Sequence, residues 1–480
     1  MRLAVIGAGV GGLACAIRLA HAGHRVTVLE QGAAPGGKCS LVRRDPFAWD
    51  AGPSLLTLPG VFEALFAETG APLADELQLL RVEPVTRYAF TDGSSVELSA
   101  DLPRAIAALE AWSPGSGEDW LAFMGTCAAM WRASVPFLTG PPPWPPRRPE
   151  PGVPALSPVD LVRVRPWWTL RDLAAAHARD PRLRMVIERF ATYAGADPRR
   201  APAALAVAGF VEHAFGAWYP RGGLAALVDA LVRRLSALGG ELRLGTPVER
   251  VVVADGRATG VLAGGELLTA DAVVANVDAD VLHRTLLGRP ARRPVRGWRG
   301  LPRSSSGLAL MLGLSGHTSG AAHHAITFPR DYDAEFDDLF VHRRPVRDPT
   351  IYVNVPSVTD PAASPPDAEA CFVLVNAPAI GDGADWDAAA ERIVDRLGVR
   401  DRLVTRALRT PGDLERETGA PGGAIYGRAP RGRLGALRRP GNAIRGVRGL
   451  WVVGGSVHPG GGLPLVALGA EVVAGEIGPA

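Results

Sequence analysis

Gly7, Gly9 and Gly12, in the stretch GAGVGG, follow a short apolar run and open an apolar helical pattern. Each position has a separate physical use. Gly7 permits a tight turn, Gly9 lets backbone approach a pyrophosphate, and Gly12 lets the helix pack on the preceding strand. Gly11 lies in the same turn. The unpaired N–H groups and dipole of a helix start then favour an anion. Glu30 closes the next apolar run, with Gln31 beside it. An acid there binds the ribose hydroxyls of a dinucleotide.

Further loops extend this site beyond what NAD requires, and point to FAD. PGGK at 35–38 brings Gly36, Gly37 and Lys38, a flexible backbone with a cation near a diphosphate. Lys38 is the only lysine among 52 basic residues. DAGPS at 50–54 returns another segment through Gly52, Pro53 and Ser54. Near the C-terminus, Gly454 and Gly455 end an apolar run, with Ser456 next to them. Gly460 to Gly462 lead into Leu463 and Pro464, a proline suited to the first turn of a helix. A helix start aimed at a flavin's pyrimidine edge stabilises the negative charge of the reduced ring. His458 in this segment reads as structural.

No second G-x-G-x-x-G in a strand–helix context occurs mid-chain. An enzyme fed by NAD(P)H usually needs a second nucleotide fold, so electrons are expected to enter from the substrate. They would leave to oxygen or a quinone, which favours oxidase or desaturase chemistry. No Ser/His/Asp triad or carboxylate pair stands out, so no catalytic side chain is assigned beyond the flavin.

The elements that position these groups follow from the pattern. RLAVI at 2–6 reads as a buried strand, LACAIRLAHAG as a helix and RVTVLE as a parallel strand, giving a βαβ unit. LAALVDALVRRLSALGG reads as a helix leading into ELRLGTPVERVVV, a strand pair. DAVVANVD and GLWVVGG read as further buried strands. From 134 to 168 the chain is rich in Pro, Trp and Arg and reads as a linker or surface flap. The expected fold is α/β: a discontinuous Rossmann-like FAD-binding domain (1–75, 220–290 and 440–480) interleaved with an α+β substrate domain (76–219 and 291–439).

Bulk properties set limits. The 480 residues are 47% hydrophobic and 21% charged, a globular composition. A net charge of +3 argues against nucleic acid. Four scattered cysteines and unclustered histidines argue against disulfides and a metal site. His323 and His324 are adjacent, so on a strand they should face opposite sides. No signal peptide is visible, and no apolar run is long enough to span a membrane.

These residues resemble the phytoene desaturase family of bacterial carotenoid desaturases, within the flavin amine oxidase-like group. The likeness runs from GAGVGGLACAIRLAHAGHRVTVLEQGAAPGGK and WDAGPSLLTLP, through WYPRGGLAALVDAL and HHAITFPRDYDAEF, to GLWVVGGSVHPGGGLP. It implies non-covalent FAD, a long polyisoprenoid substrate, formation of C=C bonds, and attachment to the inner face of the membrane from the cytoplasm. On that likeness Val248 lies near the adenine, and Gly52, Pro53 and Ser54 near the ring. PGGK and RFATYAGADPRRAP look closer to a branch that desaturates hydroxylated carotenoids at the 3,4 position. WYPRGG looks closer to phytoene desaturases. Leu465 departs from the family's usual glycine. An isomerase, another amine oxidase-like oxidase, or a flavin-free escort protein of the same fold are the alternatives, and the intact glycine–acid set argues against the last. With Trp and Arg together, 134–168 is a candidate membrane flap at the mouth of an apolar tunnel.

Overall fold

Leu3 to Ile6 are all buried, as a parallel strand covered on both faces must be. In this computed structural model, which describes residues 1–142, 158–288, 300–432 and 435–480, strand Arg2–Ile6 is the centre of a five-stranded parallel sheet. Arg25–Leu29 and Ala272–Ala275 flank it, and Glu241–Arg243 and Leu450–Val452 form the edges. Helices Val10–His21, Leu224–Ala237 and Leu463–Ile477 bury Leu13, Ile17, Leu227, Leu231 and Ala470 against one face. A three-stranded antiparallel sheet, Val248–Ala254, Arg257–Ala263 and Glu266–Thr269, covers the other through Val251 and Val261. The fold is therefore α/β with a Rossmann-like dinucleotide unit.

The strand pair expected in ELRLGTPVERVVV is split. Glu241–Arg243 extends the parallel sheet, and Val248–Ala254 enters the antiparallel one. Gly245, at φ +61°, and Pro247 redirect the chain between them.

A seven-stranded sheet holds the rest of the architecture. Its order is Leu403–Arg409, Ser306–Ser315, Ala368–Ala377, Ile351–Asn354, His324–Thr327, Thr86–Ala89 and Ser95–Leu98. The two-residue period of a strand sorts its faces. Leu308, Leu310 and Leu312 pack on helix Trp386–Leu397. Ala309 and Met311 turn the other way, against Phe47 and Trp49 of the hairpin Leu41–Arg44/Phe47–Asp50. Helices Leu102–Trp112, Ser116–Thr139, Leu170–His177, Pro181–Glu188 and Val207–Ala214 share a second core around Trp120, Phe123, Phe190 and Phe328.

Two expectations change here. The stretch read as a linker from residue 134 is helical to Thr139, with Pro136 inside the last turn, and Pro158–Arg163 is a short helix. The prolines at 143–157 lie outside the described residues. Contrary to the reading that no span is long enough, helix Ser116–Thr139 is long and apolar enough to cross a membrane by length and composition. The small residues and few charges between its large side chains hid this. Trp120, Phe123, Met124, Cys127 and Met130 bury one face of it in the core.

Candidate cofactor and substrate cavity

The first turn is built by backbone contact. Gly7, at φ +91°, donates its N–H to Leu29 O at 2.7 Å. A Cβ on Gly12 would stand 2.2 Å from the Gly7 carbonyl oxygen, so only glycine closes this turn. Helix Val10–His21 begins at Gly9, which supplies no side-chain cap; the Asn276 amide oxygen accepts from Gly9 N at 3.2 Å and Gly12 N at 3.3 Å, which leaves the N–H groups of Val10 and Gly11, both on the cavity wall, for a ligand. Glu30 follows directly after its strand. Its carboxylate accepts from Ala8 N at 2.7 Å and Gly32 N at 2.8 Å, fixed beside the turn.

The second and third loops close on the first. Gly36 N donates to Ala8 O at 2.9 Å, and a Cβ on Gly52 would lie 1.8 Å from Lys38 O. Lys38 Nζ donates to Ile425 O at 2.5 Å and Ala424 O at 3.4 Å. Burial pulls this ammonium down to about 8, against the opposing charge of Asp278. Asp50, just before Gly52, accepts from Leu224 N and Ala225 N at the start of helix Leu224–Ala237. Burial raises its carboxyl to about 6.

These loops open onto one cavity of about 1290 Å³. Its walls include Gly7, Gly9, Gly11, Glu30, Gln31, Gly36, Gly37, Lys38, Gly52, Pro53, Ser54 and Val248. From the C-terminal segment come Gly454, Gly455, Ser456, Gly462, Leu463 and Pro464. Of the sequence candidates only Gly12 is off the wall, buried behind the turn that it closes. Leu465 also reaches the cavity. His458 does not: its Nε2 is 3.0 Å from Gly140 O, and burial lowers it to about 4. At neutral pH it is uncharged and acts as a donor to that carbonyl. His323 and His324, expected on opposite faces, touch edge to face at 4.5 Å, because His323 precedes the strand His324–Thr327.

Several wall residues had no sequence signal. Asp278 caps a short helix, and Ser54 shares a 2.5 Å hydrogen bond with the Tyr352 hydroxyl. Arg439 donates to Gly455 O at 2.9 Å, and burial lowers it to about 10, so it stays charged at neutral pH. Buried Arg189 and Glu212, with half-buried Tyr193, form a polar group on the cavity wall. Arg189 and Tyr193 sat in the quoted RFATYAGADPRRAP, but nothing local paired them with Glu212.

Glycine at every point where these loops would otherwise collide fits the close backbone approach of a dinucleotide's phosphates. On a parallel sheet whose glycine turn meets an acid, this defines the class: an FAD-dependent oxidoreductase with a Rossmann-like domain. The flavin containing amine oxidoreductase family matches residues 10–314, and the chain belongs to that family. It is 36% identical over 488 residues to the zeta-carotene-forming phytoene desaturase of Myxococcus xanthus, covering 98% of this chain and 93% of that protein. Hydroxyneurosporene desaturase of Rubrivivax gelatinosus is 36% identical over 494 residues, covering 98% and 92%. Among solved structures, an oxidoreductase from Methanosarcina mazei shares the fold, with a TM-score of 0.63, 19% identity, and coverage of 98% of this chain and 99% of that one.

Proposed function

We propose that this chain is a carotenoid desaturase, forming C=C bonds in a long polyisoprenoid. The observation that carries the reading is continuity. The cavity that begins at the glycine turn runs on between apolar walls that include Trp131, Phe137, Leu138, Phe190, Phe372 and Leu374. A polyene buries hydrocarbon along its whole length, at about 25 cal/mol per Å² of apolar surface removed from water. Full-length similarity to proteins named as phytoene and hydroxyneurosporene desaturases supports the same reading.

When bound, FAD supplies the hydride acceptor. Around it the chain binds, orients and excludes water. Gly7, Gly9, Gly11 and the start of helix Val10–His21 would hold the pyrophosphate, Glu30 the ribose and Val248 the adenine. Gly52, Pro53 and Ser54 would flank the ring. The Arg439 charge and the start of helix Leu463–Ile477 make the Gly455–Pro464 end electropositive, which favours the negative charge of reduced flavin. Oxygen or a quinone is the electron acceptor on this reading.

Trp167 both lines the cavity and is 46% exposed, which puts an opening beside it. Val159 and Val162 nearby are exposed too, among Arg163 and Arg165. This mixture suits a lipid headgroup boundary, so the enzyme docks on the inner face of the membrane and draws its substrate from it.

Expression in a bacterium that accumulates phytoene, and in one that accumulates a hydroxylated carotene, tests the activity. A pigment with a longer chromophore, absorbing further to the red, is the expected outcome in one of them. Unchanged pigments in both hosts, with FAD-loaded protein present, would contradict it.

A further inference from the structure

The end of the cavity beside Glu30 and Val248 is crossed by a segment that follows strand Leu403–Arg409 of the seven-stranded sheet. Gln31, Thr285, Glu417 and Gly419 line the cavity there and are also exposed, so they rim an opening. Gln31 comes just after strand Arg25–Leu29, and Val281 ends the short helix Ala279–Val281 that follows strand Ala272–Ala275. These two strands lie on either side of Arg2–Ile6, whose end carries the glycine turn. Helix Pro411–Thr418 and the residues after it span the gap. On one bank Gln31 Nε2 donates to the Glu417 carbonyl at 2.7 Å. On the other, a Cβ placed on Gly419 would stand 3.3 Å from Val281 Cγ2, so the backbone there rests on that valine. Leu414, Thr418 and Ala420 line the cavity beneath.

The two ends of the span are fixed in a different way from its middle. Where it begins, Arg409, 4% exposed, donates from Nη1 to Ala51 O at 2.7 Å. Where it ends, Lys38 Nζ donates to Ile425 O at 2.5 Å. Each anchor is a charged donor on a backbone carbonyl, the stronger kind of hydrogen bond. Glu417 pairs with Arg409, which ties the helix to its own anchor and not to either bank. Across the opening, the Gln31 amide is a neutral donor at an exposed position, where water competes for both partners. A span with charged anchors and a lightly held middle opens at its middle.

We propose that residues 414–420 are a strap that closes over the adenosine half of FAD and gates its exchange. Gln31, a candidate cofactor ligand in the sequence, is the latch of this strap: it bonds the chain and not the dinucleotide. One opening then serves the cofactor, and the other, beside Trp167, serves the substrate. The proposal rests on the ribose lying at Glu30 and the adenine at Val248, and it does not depend on which polyene is used.

The test is the kinetics of FAD exchange, in which a latch and a ligand differ. A closed strap slows both entry and departure, so freeing it speeds both. Loss of a ligand speeds departure alone. Gln31→Ala removes a donor at an exposed position and returns the Glu417 carbonyl to water, so no buried group is left unpaired. Release is followed by the rise in flavin fluorescence on dilution of the FAD-loaded protein, and association by its fall when FAD is mixed with apoprotein. Both rates should rise, each roughly two- to tenfold, the scale of one neutral hydrogen bond. The dissociation constant should move less than either rate. Faster release with unchanged association makes Gln31 a ligand and overturns the strap, and so do two unchanged rates. Hydrogen exchange of the FAD-loaded protein reads the same latch without removing the cofactor. Amides of 414–420 should exchange severalfold faster in Gln31→Ala, and those of helix Val10–His21 should not. Equal exchange at 414–420 overturns the proposal. Glu30→Gln tests the placement beneath it. Weakened FAD affinity there, with unchanged rates in Gln31→Ala, overturns the strap alone, whereas unchanged affinity in Glu30→Gln removes the placement and the strap with it. None of these readouts involves the polyene, so the desaturase reading stands or falls separately.

Discussion

At the scale of single residues, the glycines were readable because their work is local. The spacing in GAGVGG dictates a turn within six residues, and the structure adds why Gly12 differs from the others: it closes the turn and does not line the cavity. Gly12→Ala would place its methyl against a backbone oxygen that has little room to move. Overpacking of that kind costs roughly 1–3 kcal/mol, and here it opens the loop that meets the pyrophosphate. The expected outcome is a purified protein with a much reduced ratio of flavin to protein absorbance and a lower melting temperature. Full flavin occupancy would contradict this account of the turn. Lys38, read as a cation near a diphosphate, lines the cavity and donates to the carbonyls of 424 and 425. That partner lies far along the chain, and so do Asp278 for Lys38 and Glu212 for Arg189. Such pairs have no local signature, which is why these particular contacts were not legible in the sequence.

At the scale of elements, periodicity placed the buried strands and their helices well, because a parallel strand must be apolar throughout and a surface helix on one stripe only. Where two elements abut at Gly245 and Pro247, the pattern could not say which sheet each would join. Helix Ser116–Thr139 escaped for a different reason: its apolar face is interrupted by Gly, Thr and Ser, yet a helix brings Trp120, Phe123, Met124 and Cys127 onto one side. Next to it, Pro158–Arg163 and Trp167 carry the exposed apolar groups. Replacing Val159, Val162 and Trp167 together by Ser removes three side chains, each worth up to 1.5–3 kcal/mol when fully buried in an apolar phase (about 25 cal/mol per Å²). Sedimentation with anionic liposomes should show at least tenfold weaker binding with FAD content unchanged. Equal sedimentation would remove this segment as the docking surface.

At the scale of the whole molecule, residues carried on two different sheets line one cavity. The parallel sheet presents its glycine turn from one side, and the seven-stranded sheet presents Ala309, Phe372 and Leu374 from the other. The first 30 residues announced the first half of this arrangement. The second half needed strands drawn from residues 86 to 409, whose order, with a parallel pair between Thr86–Ala89 and His324–Thr327, no local pattern encodes. We propose that segments 1–75, 220–290 and 440–480 act as the FAD-binding unit and the remainder as the substrate unit.

The central claim is that electrons pass from a polyene's C–H bonds to bound FAD. Anaerobic titration of the FAD-loaded protein with its polyene, followed by visible absorbance, tests it most directly. The account predicts bleaching of the oxidised flavin band in step with formation of one new double bond per flavin, and return of the band when oxygen or a quinone is admitted. Conversion of the polyene with no loss of the band, or no conversion under a retained band for every polyene bound, would contradict it.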